Sequence, residues 1–255
     1  MRNAQMPFLR IDAATAERNF AAAASRSWNA ASMAFGDAVT TNTRTAEADW
    51  IAPALGTFGT VGGVVPGGYE SYLLIDFRTE RDGIGWEGVQ LLFAELAAPL
   101  IEATSTPEDC FFAIWEGYGF TSGTTAYAFY GDSVDREEME RLRREARLDD
   151  AERNRQVTAA LSLVPTFELP HRRYYIVAGA VEAAARITRP DHAGPQPPDL
   201  WWPKDHRWFV GGDTDLDWCY LAGSRQLTDS VHVGLGWPTR TIAWEATNLD
   251  AGLTT

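Results

Sequence analysis

The chain has 255 residues, of which 45% are hydrophobic and 12% aromatic, so it can bury a core as one large domain or two small ones. Its 35 acidic and 22 basic side chains give a formal net charge of −13 at pH 7. That balance argues against nucleic-acid binding, which needs a basic surface, and against attraction to anionic membranes. An acidic surface favours solubility and can attract a basic protein partner.

Neither a signal peptide nor a membrane span is expected, because the apolar runs are short and the alanine-rich start is interrupted by Glu17 and Arg18. Cys110 and Cys219 lie inside apolar stretches, without the spacing of a metal-binding pair. We therefore expect a cytoplasmic protein in which both thiols are buried and no disulfide forms.

Patterns in the first half of the chain predict helices and strands that are separated by loops. Asp12 can cap an alanine-rich helix that reaches about Trp28. Six glycines in residues 56–68 indicate tightly turned backbone. Apolar runs bounded by turn residues predict strands at 69–77 and 110–115.

Between these two strands, apolar side chains recur every three or four residues, which predicts a helix with one buried face. They are Trp86, Val89, Phe93, Leu96 and Leu100. Pro99 should end or kink this helix near Ala98, since proline lacks the N–H that continues a helix. Residues 83–88 match G-x-G-x-x-G, but a five-residue spacer that includes Glu80 and Asp82 separates them from the strand, which favours a plain turn over a dinucleotide site.

The second half begins with a charged segment, residues 132–160, that contains no glycine or proline. Its acids precede its arginines at helical pair spacing, so we expect a long, largely solvated helix inserted between core strands. Farther along, the predicted elements are a strand at 173–177, a short helix at 178–187 and a proline-rich loop at 188–198.

The last part of the chain predicts a β-hairpin over residues 207–222, with Gly211 and Gly212 in its turn. Side chains alternate between the two faces from Leu216 onward, which indicates a half-buried hairpin. Ser224 can cap a following short helix, and residues 241–244 are a predicted final strand. The order of all these elements predicts an α+β fold: a single domain over residues 1–255 with a mixed, partly antiparallel sheet flanked by helices.

Apolar surface and fixed polar groups are most concentrated in residues 198–223, which hold four of the ten tryptophans. Trp201 and Trp202 are either core residues that anchor the proline-rich loop, or an aromatic wall beside Asp205 and Arg207. Arg172 and Arg173 stand at the start of a strand. They are further candidates for binding a ligand or partner, unless they only pair with nearby aspartates.

Asp213, Asp215 and Asp217 form the best candidate metal site, because hard cations prefer clustered carboxylates. The calcium-loop pattern fails here, and on a straight strand these carboxylates would lie about 6.6 Å apart, too far to share one ion. The alternative is an Asx turn at Asp213, with the other two carboxylates in water. No cofactor is expected.

Several runs stand out together: V-P-G-G-Y-E-S-Y at 65–72, F-F-A-I-W-E-G-Y-G at 111–119, L-P-H-R-R-Y-Y at 169–175, and W-W-P-K-D-H-R-W-F-V with D-T-D-L-D-W-C-Y-L-A-G-S over 201–224. They resemble a family of actinobacterial cytosolic proteins marked by W-W-P-x-D-x-x-W. That family has no established activity, so the resemblance assigns no catalytic residue. It implies that these runs form one folded unit.

The function that these observations favour is a non-enzymatic binding protein that recognises a basic protein partner, in an immunity-like or regulatory role. The acidic charge and the tryptophan-rich hairpin support it, and no complete catalytic motif is present. The alternative is a small-ligand binder or a divalent-metal-dependent enzyme that uses the aspartates, arginines and tryptophans around residues 201–217.

Overall fold

The computed structural model describes residues 30–41, 45–77, 86–120, 136–190 and 194–247. The helices in these ranges are α1 (Ala30–Phe35), α2 (Ile51–Ala54), α3 (Trp86–Glu102), α4 (Arg136–Leu161) and α5 (Arg225–Gly234). The strands are β1 (Ser71–Asp76), β2 (Cys110–Trp115), β3 (Thr166–Leu169), β4 (Arg172–Gly179), β5 (Leu200–Pro203), β6 (Phe209–Gly212), β7 (Trp218–Gly223) and β8 (Thr239–Thr241). Short 3-10 turns lie at Thr45–Ala48, Val61–Gly63, Glu116–Tyr118 and Val181–Arg186.

The eight strands form one sheet in the order β3-β4-β2-β5-β6-β7-β1-β8. The α+β prediction is confirmed, including the hairpin, which is formed by β6 and β7. All neighbouring strands of this sheet are antiparallel, so the sheet is more uniform than the mixed one that the sequence led us to expect. Short connections such as Pro170 and His171 between β3 and β4 allow only antiparallel pairing.

Successive residues of the central strands point to opposite faces of the sheet, and each face is covered by a separate layer. One layer contains Trp201, Trp208 and Leu221, packed with buried residues of α3, α4 and α5. The other contains Trp202, Phe209 and Tyr220, packed with residues from the mostly irregular segments 48–69, which includes the short helix α2, and 242–246. We call these the helical face and the loop face. The hairpin predicted to be half-buried is thus buried on both sides.

The tryptophan pair lies on a strand, whereas the sequence predicted an anchored loop. β5 occupies the middle of the sheet between β2 and β6. It is short, and all of its residues are buried, so its sequence lacks the polar alternation that marks a half-buried strand.

Gly211 and Gly212 belong to β6 and not to the predicted turn, which lies at residues 213–217 instead. The loop face explains Gly211: a Cβ there would stand 2.7 Å from a methyl carbon of Val65. This glycine therefore permits close approach of the covering loop to the strand.

α3 passes through Pro99 and ends at Glu102, so the prediction of a helix end near Ala98 is wrong. Pro99 lies in the last turn of the helix, and its missing N–H removes one backbone hydrogen bond. Packing holds the helix in place. Its residues Phe93, Leu96 and Leu100 are buried on the helical face, as the apolar spacing predicted.

Two further differences concern β4. This strand continues to Gly179, and a 3-10 turn follows it where the sequence predicted an α-helix from residue 178. Its edge partner β3 was not predicted, because residues 166–169 are few and end at a proline.

Other predictions are confirmed. β1 and β2 lie within the predicted strands, α4 lies over the predicted charged helix, and Ser224 Oγ caps α5 by accepting a hydrogen bond from Leu227 N at 3.2 Å. Cys110 and Cys219 are free and buried. The predicted helix from Asp12 and residues 83–85 lie outside the described residues. Across the described ranges, no helix combines the length and the apolar character needed to cross a membrane.

Candidate functional site

One end of the sheet collects most of the polar groups that could serve function. Because neighbouring strands run in opposite directions, β2 and β6 end there, while β4, β5 and β7 begin there. The residues that meet at this end form what we call the sheet-end cluster: Trp115, Tyr118, Arg172, Asp199 and Asp213.

Asp199, immediately before β5, is the buried acid of the sheet-end cluster, with only 9% of its surface exposed. Its Oδ2 accepts a hydrogen bond from Trp115 N at 2.7 Å, and its Oδ1 accepts one from Tyr118 Oη, also at 2.7 Å. Its backbone carbonyl accepts a third from Gly212 N at 2.8 Å. Asp199 therefore joins the end of β2 to the start of β5 and the end of β6.

The environment of Asp199 changes its acidity. Burial raises the pKa of this carboxyl from 3.8 to about 6, although the hydrogen bonds from Tyr118 and Trp115 act in the opposite direction. Asp213 adds to the rise and Arg172 opposes it. Burial, reinforced by the charge of Asp199, also raises the pKa of Tyr118. Asp199 therefore titrates nearer to neutral pH than a surface aspartate does.

Arg172 is the first residue of β4, and its side chain joins the start of that strand to Asp213, Asp215 and Trp115. Its Nη2 lies 2.6 Å from Asp213 Oδ1 and 3.3 Å from Asp215 Oδ2, and its guanidinium carbon lies 4.6 Å above the ring of Trp115. A planar guanidinium can stack and pair at the same time, which an ammonium group cannot do. The prediction that an arginine here pairs with the aspartates is confirmed for Arg172.

Residues 213–217, which we call the acidic loop, have a fixed backbone and exposed charges. Asp213 Oδ1 accepts a hydrogen bond from Asp215 N at 3.0 Å, which is the predicted Asx turn. The side chain of Asp215 is nevertheless 83% exposed, and Asp217 is exposed as well. Among the residues that the structure describes, no three His, Cys, Asp or Glu side chains are grouped closely enough to hold a metal ion.

An exposed aromatic side chain lies near the same end of the loop face. Phe58 is 71% exposed, and its ring packs edge-on against His171, with 5.1 Å between the ring centres. His171 directly precedes Arg172 and has a positive φ of 74° in the turn between β3 and β4. The turn thus presents an apolar ring beside the ion pairs of Arg172.

Arg173 points away from Arg172, because successive strand residues face opposite sides of the sheet. On the helical face its guanidinium lies 3.5 Å from Glu116 and 4.0 Å from Glu168. The two candidate arginines, Arg172 and Arg173, therefore lie on opposite faces of the sheet.

The remaining predicted site residues are separated from this end. Trp201 and Trp202 are fully buried on opposite faces of β5, so they do not form one wall. Asp205 follows the other end of β5. It accepts hydrogen bonds from the Thr104 hydroxyl at 2.8 Å and from Ser105 N at 2.7 Å, and Arg207 beside it is exposed. Although partial burial acts to raise the pKa of Asp205, these hydrogen bonds lower it.

Sequence reasoning did not single out Trp115, Tyr118 or Asp199. One signal was available for Asp199, which directly precedes the entirely apolar run L-W-W-P. An acid at the start of a strand that is buried on both faces must itself be partly desolvated, and it needs hydrogen-bond donors. Those donors come from β2 and its following turn, which are distant in sequence.

Comparisons with known proteins leave the chain's family open. No protein-family model, curated protein or solved structure matches the chain. The resemblance to the actinobacterial family therefore stays a prediction.

Proposed function

We propose that this protein is a non-enzymatic binding protein that recognises a basic protein partner through the acidic loop, in an immunity-like or regulatory role. One observation carries the proposal. The side chain of Asp215 is 83% exposed in a turn that is braced by a hydrogen bond to Asp213 and by the ion pairs of Arg172. Charges that are already ordered lose little conformational entropy on binding, so more of the interaction energy becomes affinity.

The electrostatics of the chain support the same proposal. A net charge of −13 attracts a positively charged protein from a distance and speeds its association. The exposed ring of Phe58 adds an apolar contact close to Arg172, and aromatic side chains contribute strongly at protein interfaces. Charge and apolar contact thus occur on one surface.

The bonding of Asp199 favours binding over acid–base chemistry. Both of its oxygens are already occupied, by Trp115 N and by the Tyr118 hydroxyl. A general acid needs an open approach to the atom that it protonates. Asp199 thus stabilises this end of the sheet through its hydrogen bonds, whereas the exposed carboxylates of the acidic loop are accessible to a partner.

The proposal can be tested by capture with chemical coupling. The immobilised protein is incubated with a lysate of its source cells and then treated with a carbodiimide, which joins carboxylates directly to lysine amines. We expect a basic protein coupled at Asp215 or Asp217. Its recovery should fall about tenfold, equivalent to about 1.4 kcal/mol, when both are replaced by asparagine. Phe58→Ala should weaken the same complex.

A matched control is Asp229→Asn, which removes an exposed acid from α5 and should leave recovery unchanged. Raising the salt concentration should weaken the complex, since exposed charges are screened. Recovery that is equal for all variants, or coupling only at carboxylates outside the acidic loop, contradicts the proposal.

A further inference from the structure

A groove of about 510 Å³ lies on the helical face, between the last turn of α4 and strands β3 and β4. Its floor is apolar and buried. The floor residues are Phe120, Leu161, Val164 and Tyr175. This volume is within the range of small-molecule sites, and an apolar floor is typical of them.

Two opposite charges stand at the rim of the groove, Arg173 and Glu116. Their charged groups are 3.5 Å apart, and their side chains are 52% and 39% exposed. The other acid near this guanidinium, Glu168, is 4.0 Å away and 80% exposed. Such long, exposed ion pairs contribute little stability, so both rim groups can pair with a bound molecule at small cost.

The end of α4 closes one side of the groove. Thr158, Leu161 and Ser162 of this end line it. The carbonyl oxygens of the last turn already accept hydrogen bonds from Ser162, Leu163 and Val164, so the charges that face a ligand are those of the two rim side chains. A cationic group is therefore favoured beside Glu116, and an anionic group beside Arg173.

We propose that this groove binds a free amino acid with a large apolar side chain. Its carboxylate pairs with Arg173, and its ammonium group pairs with Glu116. Its side chain packs on the rings of Phe120 and Tyr175. A zwitterion fits because the rim carries one group of each sign at short separation. This site lies on the helical face and does not depend on partner binding at the acidic loop.

Titration calorimetry with three related probes tests the charge requirement. L-phenylalanine carries both charges, phenethylamine lacks the carboxylate, and 3-phenylpropionate lacks the ammonium group. We expect saturable binding of L-phenylalanine at one site per chain, and binding at least about tenfold weaker for the other two, since each loses a charge-assisted pair. L-leucine tests the aliphatic case. Failure of both amino acids to bind, or equal binding of phenethylamine or 3-phenylpropionate, overturns the proposal.

Variants place the binding in the groove. Arg173→Gln and Glu116→Gln should each weaken L-phenylalanine binding about tenfold. Ser162→Trp introduces a bulky side chain from an exposed position and should abolish binding without disturbing the core. Arg225→Gln, at an exposed position on α5, is the control and should bind normally. Unfolding temperatures confirm that each variant is folded. Unchanged binding in the folded Ser162→Trp variant refutes the assignment to this groove.

Discussion

Replacing Asp199 with asparagine should stabilise the protein above neutral pH and leave its stability unchanged below the unfolded-state pKa of the aspartate, 3.8. An asparagine has the shape of a protonated carboxyl. Its oxygen can accept the hydrogen bond from Trp115 N, and its amide can donate to the Tyr118 oxygen once that hydroxyl rotates. The variant thus keeps both hydrogen bonds but cannot ionise.

The size of the effect follows from the pKa of Asp199, which burial raises from 3.8 to about 6. A carboxyl with a raised folded-state pKa contributes stability that is complete below the unfolded-state pKa and is lost as the pH rises through the folded-state pKa. A tenfold change in an acid dissociation constant corresponds to about 1.4 kcal/mol. The wild-type protein should therefore lose about 3 kcal/mol between about pH 4 and pH 7 that the asparagine variant retains.

Urea unfolding followed by tryptophan fluorescence, at about pH 4.5 and about pH 8, should show about 2 kcal/mol of this difference, because the unfolded-state carboxyl is already mostly ionised at the lower pH. Other titrating groups are common to both proteins and cancel. Asp199→Ala is the control: it removes the acceptor of both buried donors and should cost about 2–5 kcal/mol at the lower pH. Its cost should be smaller at the higher pH, where the wild type has lost stability through ionisation of Asp199. If Asp199→Asn is less stable than the wild type at the higher pH, the charged carboxylate is stabilising and the reasoning is refuted.

Three further predictions concern packing, and urea or thermal unfolding checks each. Arg172→Met removes an ion pair at 2.6 Å and a stacked guanidinium, and it should cost about 2–4 kcal/mol. Arg172→Lys should recover only part of this stability, since an ammonium group cannot stack as a guanidinium does. Full recovery by lysine contradicts the role of stacking. Gly62→Ala places a Cβ 2.5 Å from an indole carbon of Trp244 and should destabilise the protein by about 1–3 kcal/mol. Gly236→Ala is the control and should be neutral, because no atom lies within 4 Å of the added Cβ. Trp208→Phe should cost about 1 kcal/mol more than Trp201→Phe. Of these two tryptophans, only Trp208 donates its indole N–H to an acceptor, the carbonyl of Leu100 at 3.0 Å. Equal costs for the two variants contradict this reasoning.

Local signals in the sequence predicted much of the fold. The bounded apolar runs at β1 and β2, the three-and-four spacing along α3 and the serine before α5 each act through neighbours in the chain. These signals also limited the prediction. At Gly211 and Gly212 they indicate a turn, although packing of a distant loop on the strand determines the conformation.

The candidate site was predictable only in part. The Asx turn at Asp213 and the pairing of an arginine with the acidic loop follow from residue types and short spacing. The expectation that Trp201, Trp202, Asp205 and Asp213 could form one site is wrong. Its members lie on opposite faces and at opposite ends of the sheet. Proximity in the sequence predicted the pairing of β6 with β7, but it did not predict that β2 lies between β4 and β5.

The tryptophan-rich stretch at 198–223 shows this division most clearly. The sequence by itself determined its hairpin, the capped helix after it and the acidic character of its turn, because these depend on residues a few positions apart. Only the tertiary structure decided that L-W-W-P is a central strand, that Asp199 is buried between Trp115 and Tyr118, and that Arg172 fixes the acidic loop. Those features depend on the order of strands in the sheet, which brings together groups up to 84 residues apart.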